Sequence, residues 1–354
     1  MSTTRIERRK NRELQKKLLK KRKKRRPFKI TMILLLFFIA TIGYASFEYY
    51  SGYIDAAGKE PKVSASGTTD ENEKDKEAFN GVEDLKKINV LILGVDQKDA
   101  ESGRTDTIMI AQYDPETDSA KIASIMRDSY VSIPGYKDNK INTAYFHGGA
   151  ELVRQTIKEN FGIDVQYYAV VDFDGFAQVV DVLSPNGVEI DVEKRMKYTD
   201  RAGGLYIDFQ AGLQNLDGEE LLEYARFRHD AESDFGRVRR QQQVIAAIKD
   251  ELVSVNGLVK LPKMMGTIQP YIDTNVSTKT IIGIGTSFLM NPKEIQTIRI
   301  PVDGSFSNKS YSHAGSVLDI DVDENKEALD EFFNSTTPTS AAVTENAIED
   351  INQN

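Results

Sequence analysis

INVLILGV, residues Ile88–Val95, is the strongest strand signal in the chain. Its apolar residues run on without the alternation of a half-buried strand, and it is too short for a typical helix, so it predicts a central strand buried on both faces. Working outward, Thr107–Tyr113 and Lys121–Ile125 flank the turn sequence DPETDS. These two runs predict a hairpin that follows the central strand.

Helical and extended patterns alternate through the rest of this region. Asp217, with Glu220 three residues on, has the pattern of a helix capping box. The alternation predicts the fold class α/β, a single domain with a central mixed β-sheet and helices on both faces. Predicted helices cover Ala150–Phe161, Gly175–Leu183, Gly218–Ala225, Phe235–Val253, Leu258–Tyr271, Ser277–Met290 and Glu324–Phe333, and further strands are VQYYAVVDF, VEIDV, IQTIRI and VLDIDV.

The N-terminal region differs sharply in charge from the rest of the chain. Arg5–Lys29 holds 15 Lys or Arg and two Glu, a net charge of +13, which leaves −21 for the remainder. Ile30–Phe47 follows and has no ionisable side chain except tyrosine. About 18 apolar residues can cross a bilayer, and a basic flank stays in the cytoplasm. The pattern predicts one transmembrane signal anchor, with the domain outside the cell.

Five segments follow from these patterns. We expect a basic cytoplasmic tail over residues 1–29, the anchor over 30–50, a flexible extracellular linker over 51–84, the domain over 85–334 and a disordered tail over 335–354. The chain has no cysteine, which favours the outer face of a Gram-positive bacterium over a disulfide-stabilised secreted protein. The predicted location is therefore the cell membrane, as a single-pass protein.

Several kinds of chemistry lack sequence support. The three histidines form no HExxH pattern, and no glycine-rich nucleotide motif follows a strand. The 29 residues before the anchor have no apolar pattern and cannot form a DNA-reading fold, so no nucleic-acid partner is expected. The basic tail instead suits contact with anionic membrane lipid.

Arginines concentrate in YARFRHDAESDFGRVRR, residues Tyr224–Arg240. Like charges repel, and guanidinium groups match phosphate oxygens in pairs, so this cluster predicts binding of a phosphate or pyrophosphate. The alternative is a surface salt-bridge network, which stabilises little. In an extended segment Arg226 and Arg228 would point the same way. Arg237 and Arg240 share a helical face, and Arg239 points elsewhere, toward solvent.

Two aspartates lie at the ends of the first two strands. Asp96 follows the central strand and Asp106 opens the next one. If these strands are neighbours, the two carboxylates could share Mg²⁺ or Mn²⁺. Alternatively, Asp96 caps a turn and Asp106 pairs with Arg104. Arg127 ends a third strand beside Asp128, where a local ion pair is the common arrangement.

The order of these motifs resembles the LytR-CpsA-Psr family. The resemblance rests on GVD at Gly94–Asp96, GRTDT at Gly103–Thr107, SIMRD at Ser124–Asp128, KINTAYFHGG at Lys140–Gly149 and ARFRHDAESDFGRVRRQQ at Ala225–Gln242. It implies a phosphotransferase that takes an anionic glycopolymer, such as a teichoic acid, from undecaprenyl pyrophosphate and joins it to the 6-hydroxyl of N-acetylmuramic acid in peptidoglycan.

The resemblance also implies residue roles. Asp96 and Asp106 would hold the metal, Arg104, Arg226 and Arg228 would bind the pyrophosphate, and Arg127, Arg237 and Arg240 would act in catalysis. Asp234 and Asp230 both stay open as the general base. Apolar helices could line a slot for the lipid chain. A non-catalytic binder of anionic wall polymers or polyprenyl pyrophosphate is the alternative function.

Overall fold

The computed structural model describes residues 38–58, 78–82, 86–95, 105–200 and 205–335. Fourteen strands and eight helices are assigned within these ranges. Helix α1 occupies residues 38–57. The other helices are α2 (Asn142–Phe161), α3 (Phe173–Leu183), α4 (Gly218–Arg226), α5 (Ser233–Val253), α6 (Val255–Ile268), α7 (Thr278–Met290) and α8 (Val322–Asn334).

The main sheet has six strands, in the order β11-β6-β1-β2-β3-β12. Strands β1 and β6 are parallel, as are β3 and β12, whereas β2 is antiparallel to both of its neighbours. The sheet is therefore mixed, as predicted, and the INVLILGV strand is central. Its strands are β1 (Ile88–Val95), β2 (Thr105–Asp114), β3 (Ser119–Ile125), β6 (Tyr167–Asp172), β11 (Ile272–Thr274) and β12 (Gln296–Ile300).

The two faces of the main sheet are packed differently. On the first face, Leu91, Ile110 and Ala123 are fully buried with residues of α2 and α8 in the largest core cluster. Val90, Ala111 and Ile122 alternate with them and so lie on the second face, which α7 covers. None of the described residues of α7 is buried. The prediction of helices on both faces is confirmed, but one face is loosely covered.

Most of the short strands outside the main sheet were not predicted. β4 (Ser129–Val131), β5 (Asn139–Lys140), β13 (Phe306–Tyr311) and β14 (Gly315–Ile320) form a four-stranded sheet in the order β13-β14-β4-β5. Two two-stranded sheets pair β7 (Val188–Val192) with β10 (Gly212–Leu216), and β8 (Met196–Asp200) with β9 (Leu205–Phe209). Of these strands, the sequence pattern indicated only β7, as VEIDV, and β14, as VLDIDV.

Helix boundaries follow local capping. The predicted capping box is present at α4, where Asp217 accepts from the Glu220 backbone and the Glu220 side chain accepts from the Asp217 backbone. Helix α2 begins eight residues before the predicted start. It contains a kink at Gly148 and Gly149, and Gly149 has a φ of 63° that favours glycine. The sequence pattern before this kink is too short to show helical periodicity.

Helix α1 packs on α6 through small residues. A Cβ added at Gly266 would lie 1.9 Å from the carbonyl oxygen of Tyr49, so only glycine allows this approach. Tyr49 Oη also donates to Gln269 Oε1 at 2.6 Å. Residues 51–57 belong to helix α1. The segment predicted as a flexible linker, residues 51–84, therefore begins with helical residues.

The predicted anchor of residues 30–50 lies partly outside the described residues, as the basic tail does entirely. Within the described ranges, no helix combines the length and the apolar character needed to cross a membrane. At the other end, α8 ends at Asn334, and residues 336–354 are outside the described chain.

Candidate pyrophosphate site

The carboxyl ends of β1 and β3 meet the start of β2 at one edge of the main sheet. Val95 pairs with Thr105, and Ile108 pairs with Ile125. This register brings Arg127, two residues after β3, to Asp106 in β2, and the two side chains form an ion pair. Open α/β sheets place ligand sites at such an edge. β1 and β2 are neighbours, which meets the condition set for a site shared by Asp96 and Asp106.

Helix α5 brings a second arginine to the same edge. Gln241 of α5 donates to Thr107 Oγ1 of β2 at 3.2 Å, and Arg237 lies one helical turn earlier on the same face. Arg237 is 5% exposed. Asp234 lies 3.4 Å from Arg237 and 3.9 Å from Arg127, measured between nitrogen and oxygen. We call Asp106, Arg127, Asp128, Asp234 and Arg237 the clamp.

Buried polar atoms in the clamp lack partners. Among the described residues, Arg127 Nε, Arg237 Nε and Asp234 Oδ1 are buried and have no hydrogen-bond partner. Leaving a buried donor unpaired costs about 1–3 kcal/mol. Guanidinium donors without a hydrogen bond at a sheet edge favour the binding of a ligand with oxygen acceptors.

Burial and neighbouring charges shift the pKa values of several clamp residues. Burial and the nearby Arg127 charge lower the pKa of Arg237. Burial raises the pKa of Asp234, and its hydrogen bond to Asp128 raises it further against the pull of Arg237. Burial would raise the pKa of Asp128 too, but that bond and Lys140 outweigh it, so the pKa of Asp128 is lowered. The contact between Asp128 and Asp234 thus shifts the pKa values of the two carboxyls in opposite directions.

Asp128 and Lys140 complete one side of the clamp. Lys140 Nζ lies 2.7 Å from Asp128 Oδ1, and Asp128 Oδ2 lies 3.6 Å from Arg127 Nε. The predicted local pair of Arg127 with Asp128 is therefore present. Lys140 was not predicted as a site residue, although its KINTAYFHGG motif was noted. Chain position alone does not show that β5 pairs with β4 and carries Lys140 to the clamp.

Arg226 and Arg228 lie beside the clamp but are held differently from the prediction. Arg226 is the last residue of α4, so the segment is not extended there. Its guanidinium lies 5.2 Å from the ring centre of Phe173. That ring packs against Gly94 at the end of β1, which places Arg226 at the clamp edge of the sheet. Arg228 is exposed.

Arg240 differs from its predicted catalytic role. Its side chain is 0% exposed, and it donates to Asp230 Oδ2 at 2.9 Å and to the Phe227 carbonyl at 2.5 Å. These bonds fasten the loop that follows α4 onto helix α5, because Arg240 lies on the side of α5 that faces that loop. Asp230 pairs with Arg240 and with Lys194, and neither of these residues belongs to the clamp. Arg239 points away from the clamp as predicted, but pairs with Glu193 and Glu232.

Only one of the two predicted metal ligands, Asp106, lies within the described residues. Asp96 and Arg104 lie outside the described residues. Asp106 is described and bonds Arg127 through one carboxylate oxygen. Among the described residues, no group of three or more His, Cys, Asp or Glu could hold a metal ion. Asp106 offers a carboxylate at this edge, and the metal site that it would form with Asp96 stays a prediction.

An apolar cavity lies under the second face of the main sheet. Its volume is about 260 Å³, and it lies between α7 and the end of the sheet opposite the clamp. Val90, Ala111 and Ile122 line it from the sheet, and Ile284 and Phe288 line it from α7. The cavity explains why this face is loosely covered.

This fold and this sheet edge define a class of protein, an α/β domain with buried arginines at one edge of a central mixed sheet. More particularly, the chain belongs to the LytR_cpsA_psr family, whose model matches residues 53–330. It is 44% identical to the regulatory protein MsrR of Staphylococcus aureus (strain COL), over 72% of this chain and 77% of that protein.

Two further relatives have more specific names. The polyisoprenyl-teichoic acid–peptidoglycan teichoic acid transferase TagU of Oceanobacillus iheyensis is 32% identical, over 62% of this chain and 69% of that protein. The solved structure of TagT bound to LI-WTA matches with a TM-score of 0.56 and 27% identity, over 77% of this chain and 98% of that one.

Proposed function

We propose that this protein is a membrane-anchored phosphotransferase. It moves an anionic glycopolymer, such as a teichoic acid, from a polyprenyl pyrophosphate carrier to the 6-hydroxyl of N-acetylmuramic acid in peptidoglycan. The observation that carries the proposal is the clamp, in which Arg127 and Arg237 both pair with Asp234 and both keep a buried Nε without a hydrogen bond to the described residues. The names of TagU and of the TagT complex support the choice of polymer and acceptor.

The reaction is a displacement at phosphorus. The acceptor hydroxyl oxygen bonds to the polymer-side phosphorus, the bond from that phosphorus to the bridging oxygen breaks, and the lipid leaves as its monophosphate. Arg127 and Arg237 stabilise the negative charge that builds on the phosphate oxygens. Arg226 and the exposed Arg228 steer the pyrophosphate to this edge. Most of the catalysis is positioning and electrostatics.

Asp234 is the proposed general base. Its Oδ1 is buried and accepts no hydrogen bond from the described residues, and its carboxylate forms ion pairs with both arginines that would hold the phosphate. In its carboxylate form it takes the proton of the attacking hydroxyl. Asp128 and Lys140 hold it in position.

Asp106 and Asp96 are the proposed ligands of Mg²⁺ or Mn²⁺. A bound cation would neutralise charge on the pyrophosphate and favour departure of the lipid phosphate. Asp106 has a second function in this proposal, since its ion pair with Arg127 fixes the guanidinium at the sheet edge.

The second face of the main sheet is the proposed lipid slot. β1 has eight residues and spans about 26 Å at about 3.3 Å per residue, enough for several isoprene units between the clamp and the apolar cavity. We expect Ala111→Phe, which fills the cavity, to raise KM for a long-chain donor about 5- to 10-fold by removing apolar contacts. Steady-state kinetics with long-chain and ten-carbon donors measures this.

The ten-carbon donor is the internal control, because its chain is too short to reach the cavity. Ala211→Phe is the matched variant, since Ala211 is exposed in a turn. If both donors lose affinity equally in Ala111→Phe, the lipid does not lie along this face.

The rate of transfer is expected to rise with pH through the pKa of Asp234, because only the carboxylate accepts a proton. That pKa is raised by burial and by Asp128. Asp128→Asn removes the neighbouring negative charge, lowers the pKa of Asp234 and moves the ascending limb to lower pH. A pH profile of kcat/KM for both proteins checks this. An ascending limb at the same pH in the variant contradicts Asp234 as the base.

The proposed location is the cell membrane, with residues 30–50 as a single-pass anchor, the N-terminus in the cytoplasm and the domain outside. The positive charge of Arg5–Lys29 and the apolar run after it support this orientation. Protease treatment of intact cells checks it, because the domain must be digested from outside while the basic tail is protected.

The proposed function as a whole is tested with the purified full chain in detergent. A radiolabelled polyprenyl-pyrophosphate-linked polymer and uncrosslinked peptidoglycan are supplied with Mg²⁺. We expect labelled polymer on peptidoglycan together with free polyprenyl monophosphate. Tight donor binding without either product would favour the non-catalytic binder.

A further inference from the structure

The four-stranded sheet carries stacked aromatic side chains. The rings of Tyr130 in β4 and Tyr311 in β13 are stacked, with centres 4.6 Å apart and planes 24° apart. The ring of His313 lies 6.2 Å from the first and 5.9 Å from the second. We call these three residues the aromatic platform. Tyr130 Oη and His313 Nε2 meet at the protein surface, 3.4 Å apart.

The platform lies on the outer face of its sheet. Leu318 of β14 faces inward, into a cluster with Met126 and Val238. Its neighbour Asp319 therefore points outward, and Asp319 is the register partner of Tyr130. Tyr130 and Tyr311 belong to none of the hydrophobic clusters formed by the described residues. These rings therefore form a surface rather than a core.

The platform is continuous with the clamp. Tyr130 follows Asp128 by two residues, directly after the turn closed by the hydrogen bond from the Ser129 N–H to the Met126 carbonyl. Lys140 is the register partner of Tyr130 and reaches back to Asp128 at 2.7 Å. A molecule lying on Tyr130 would thus have its next group beside Arg127 and Asp234.

The charged side chains around the platform form ion pairs with one another. Lys309 pairs with Asp319, and Tyr311 Oη donates to the same carboxylate at 3.3 Å. Lys140 is paired with Asp128. This surface therefore does not suit a polyanion, in contrast to the clamp. It offers flat aromatic rings rimmed by polar groups, which suits a neutral molecule with an apolar face and many hydroxyls.

We propose that the aromatic platform binds the acceptor glycan, a chain of uncharged pyranose rings, and directs its primary hydroxyl into the clamp. Pyranose rings present C–H groups on one face that pack on aromatic rings, while their hydroxyls bond to a polar rim. The inference rests on the proposed function, since it assigns the acceptor side of the same site. The donor then enters from the arginine side and the acceptor from the platform side.

A structural role for the platform makes a different prediction. A cross-strand aromatic contact contributes about 0.2–1 kcal/mol to stability, and its loss would leave glycan binding unchanged. Tyr130 and Tyr311 also lie two strands apart, with β14 between them, so they are not a directly opposed pair. Binding and stability can therefore be measured separately.

The test uses the full chain in detergent and a soluble tetramer of β-1,4-linked N-acetylglucosamine as the probe. Calorimetry measures the Kd of the tetramer, and thermal unfolding measures stability in parallel. We expect Tyr311→Ala and His313→Ala each to weaken binding by about 5- to 10-fold, and Tyr311→Trp to retain it. Tyr206→Ala is the matched control, because Tyr206 is 61% exposed in β9.

In the transfer assay, Tyr311→Ala should raise KM for the acceptor while leaving KM for the lipid donor unchanged. Equal Kd values for the original chain and both Ala variants overturn the platform, as does loss of binding in Tyr206→Ala alone. Binding of the tetramer by a chain that transfers nothing would overturn the proposed function and keep the platform. Transfer with an unchanged KM for the acceptor in Tyr311→Ala would keep the proposed function and overturn the platform.

Discussion

Replacing Arg237 with alanine is expected to lower the rate of polymer transfer by about 10²- to 10³-fold, the cost of removing one pre-positioned donor to a developing charge. Arg237 is 5% exposed, and its Nε lacks a hydrogen-bond partner among the described residues. Its donors are therefore held ready for a ligand, and water cannot replace them. The measurement is kcat/KM with labelled lipid-linked polymer and peptidoglycan.

Arg239→Ala is the matched control, two residues further on the same helix. Arg239 pairs with Glu193 and Glu232 at the surface, and surface pairs contribute about 0–1 kcal/mol. This variant should keep its activity and its stability. Arg237→Lys should recover little, because an ammonium group cannot bind two phosphate oxygens in parallel. Full transfer by Arg237→Ala would remove the clamp from the mechanism.

Replacing Asp106 with asparagine is expected to lower transfer by about 100-fold and to raise the Mg²⁺ concentration that gives half-maximal rate. The change removes a charged oxygen ligand from the proposed metal site. It also weakens the ion pair that fixes Arg127 at the sheet edge. Initial rates over a series of Mg²⁺ and Mn²⁺ concentrations separate the two effects, because added metal restores only the first.

Asp114→Asn provides the comparison for Asp106. Asp114 ends the same strand, β2, far from the clamp, and its Oδ1 accepts from the Glu116 backbone, which asparagine also does. We expect the dependence on metal to be unchanged in this variant. If Asp106→Asn responds to metal as the original chain does, Asp106 is not a metal ligand.

Five of the six strands of the main sheet could be predicted because their signals are local, whereas the three-residue β11 was not predicted. Ile88–Val95 is apolar along its whole length, and DPETDS marks the turn between β2 and β3. By contrast, β13 reads FSNKSY, and most of its residues are exposed. An edge strand of this kind has no apolar period, so its pairing with β14 depends on tertiary contacts that sequence spacing does not show.

The candidate site was predictable in its chemistry but not in its contacts. Arginines at a strand end and in α5 indicated an anion site, and the structure brings Arg127 and Arg237 to one carboxylate. The role of Arg240 could not be predicted, because its helical position does not show that the Phe227 carbonyl faces it. The Asp128–Asp234 contact likewise depends on how α5 sits against β3.

A crystal structure of the chain grown with Mn²⁺ and a prenyl pyrophosphate tests the proposed site most directly. We expect the diphosphate between Arg127 and Arg237, the prenyl chain on the second face of the sheet toward Ala111, and an anomalous manganese peak at Asp106. A diphosphate bound away from both arginines, with the clamp unchanged and filled by water, would contradict it.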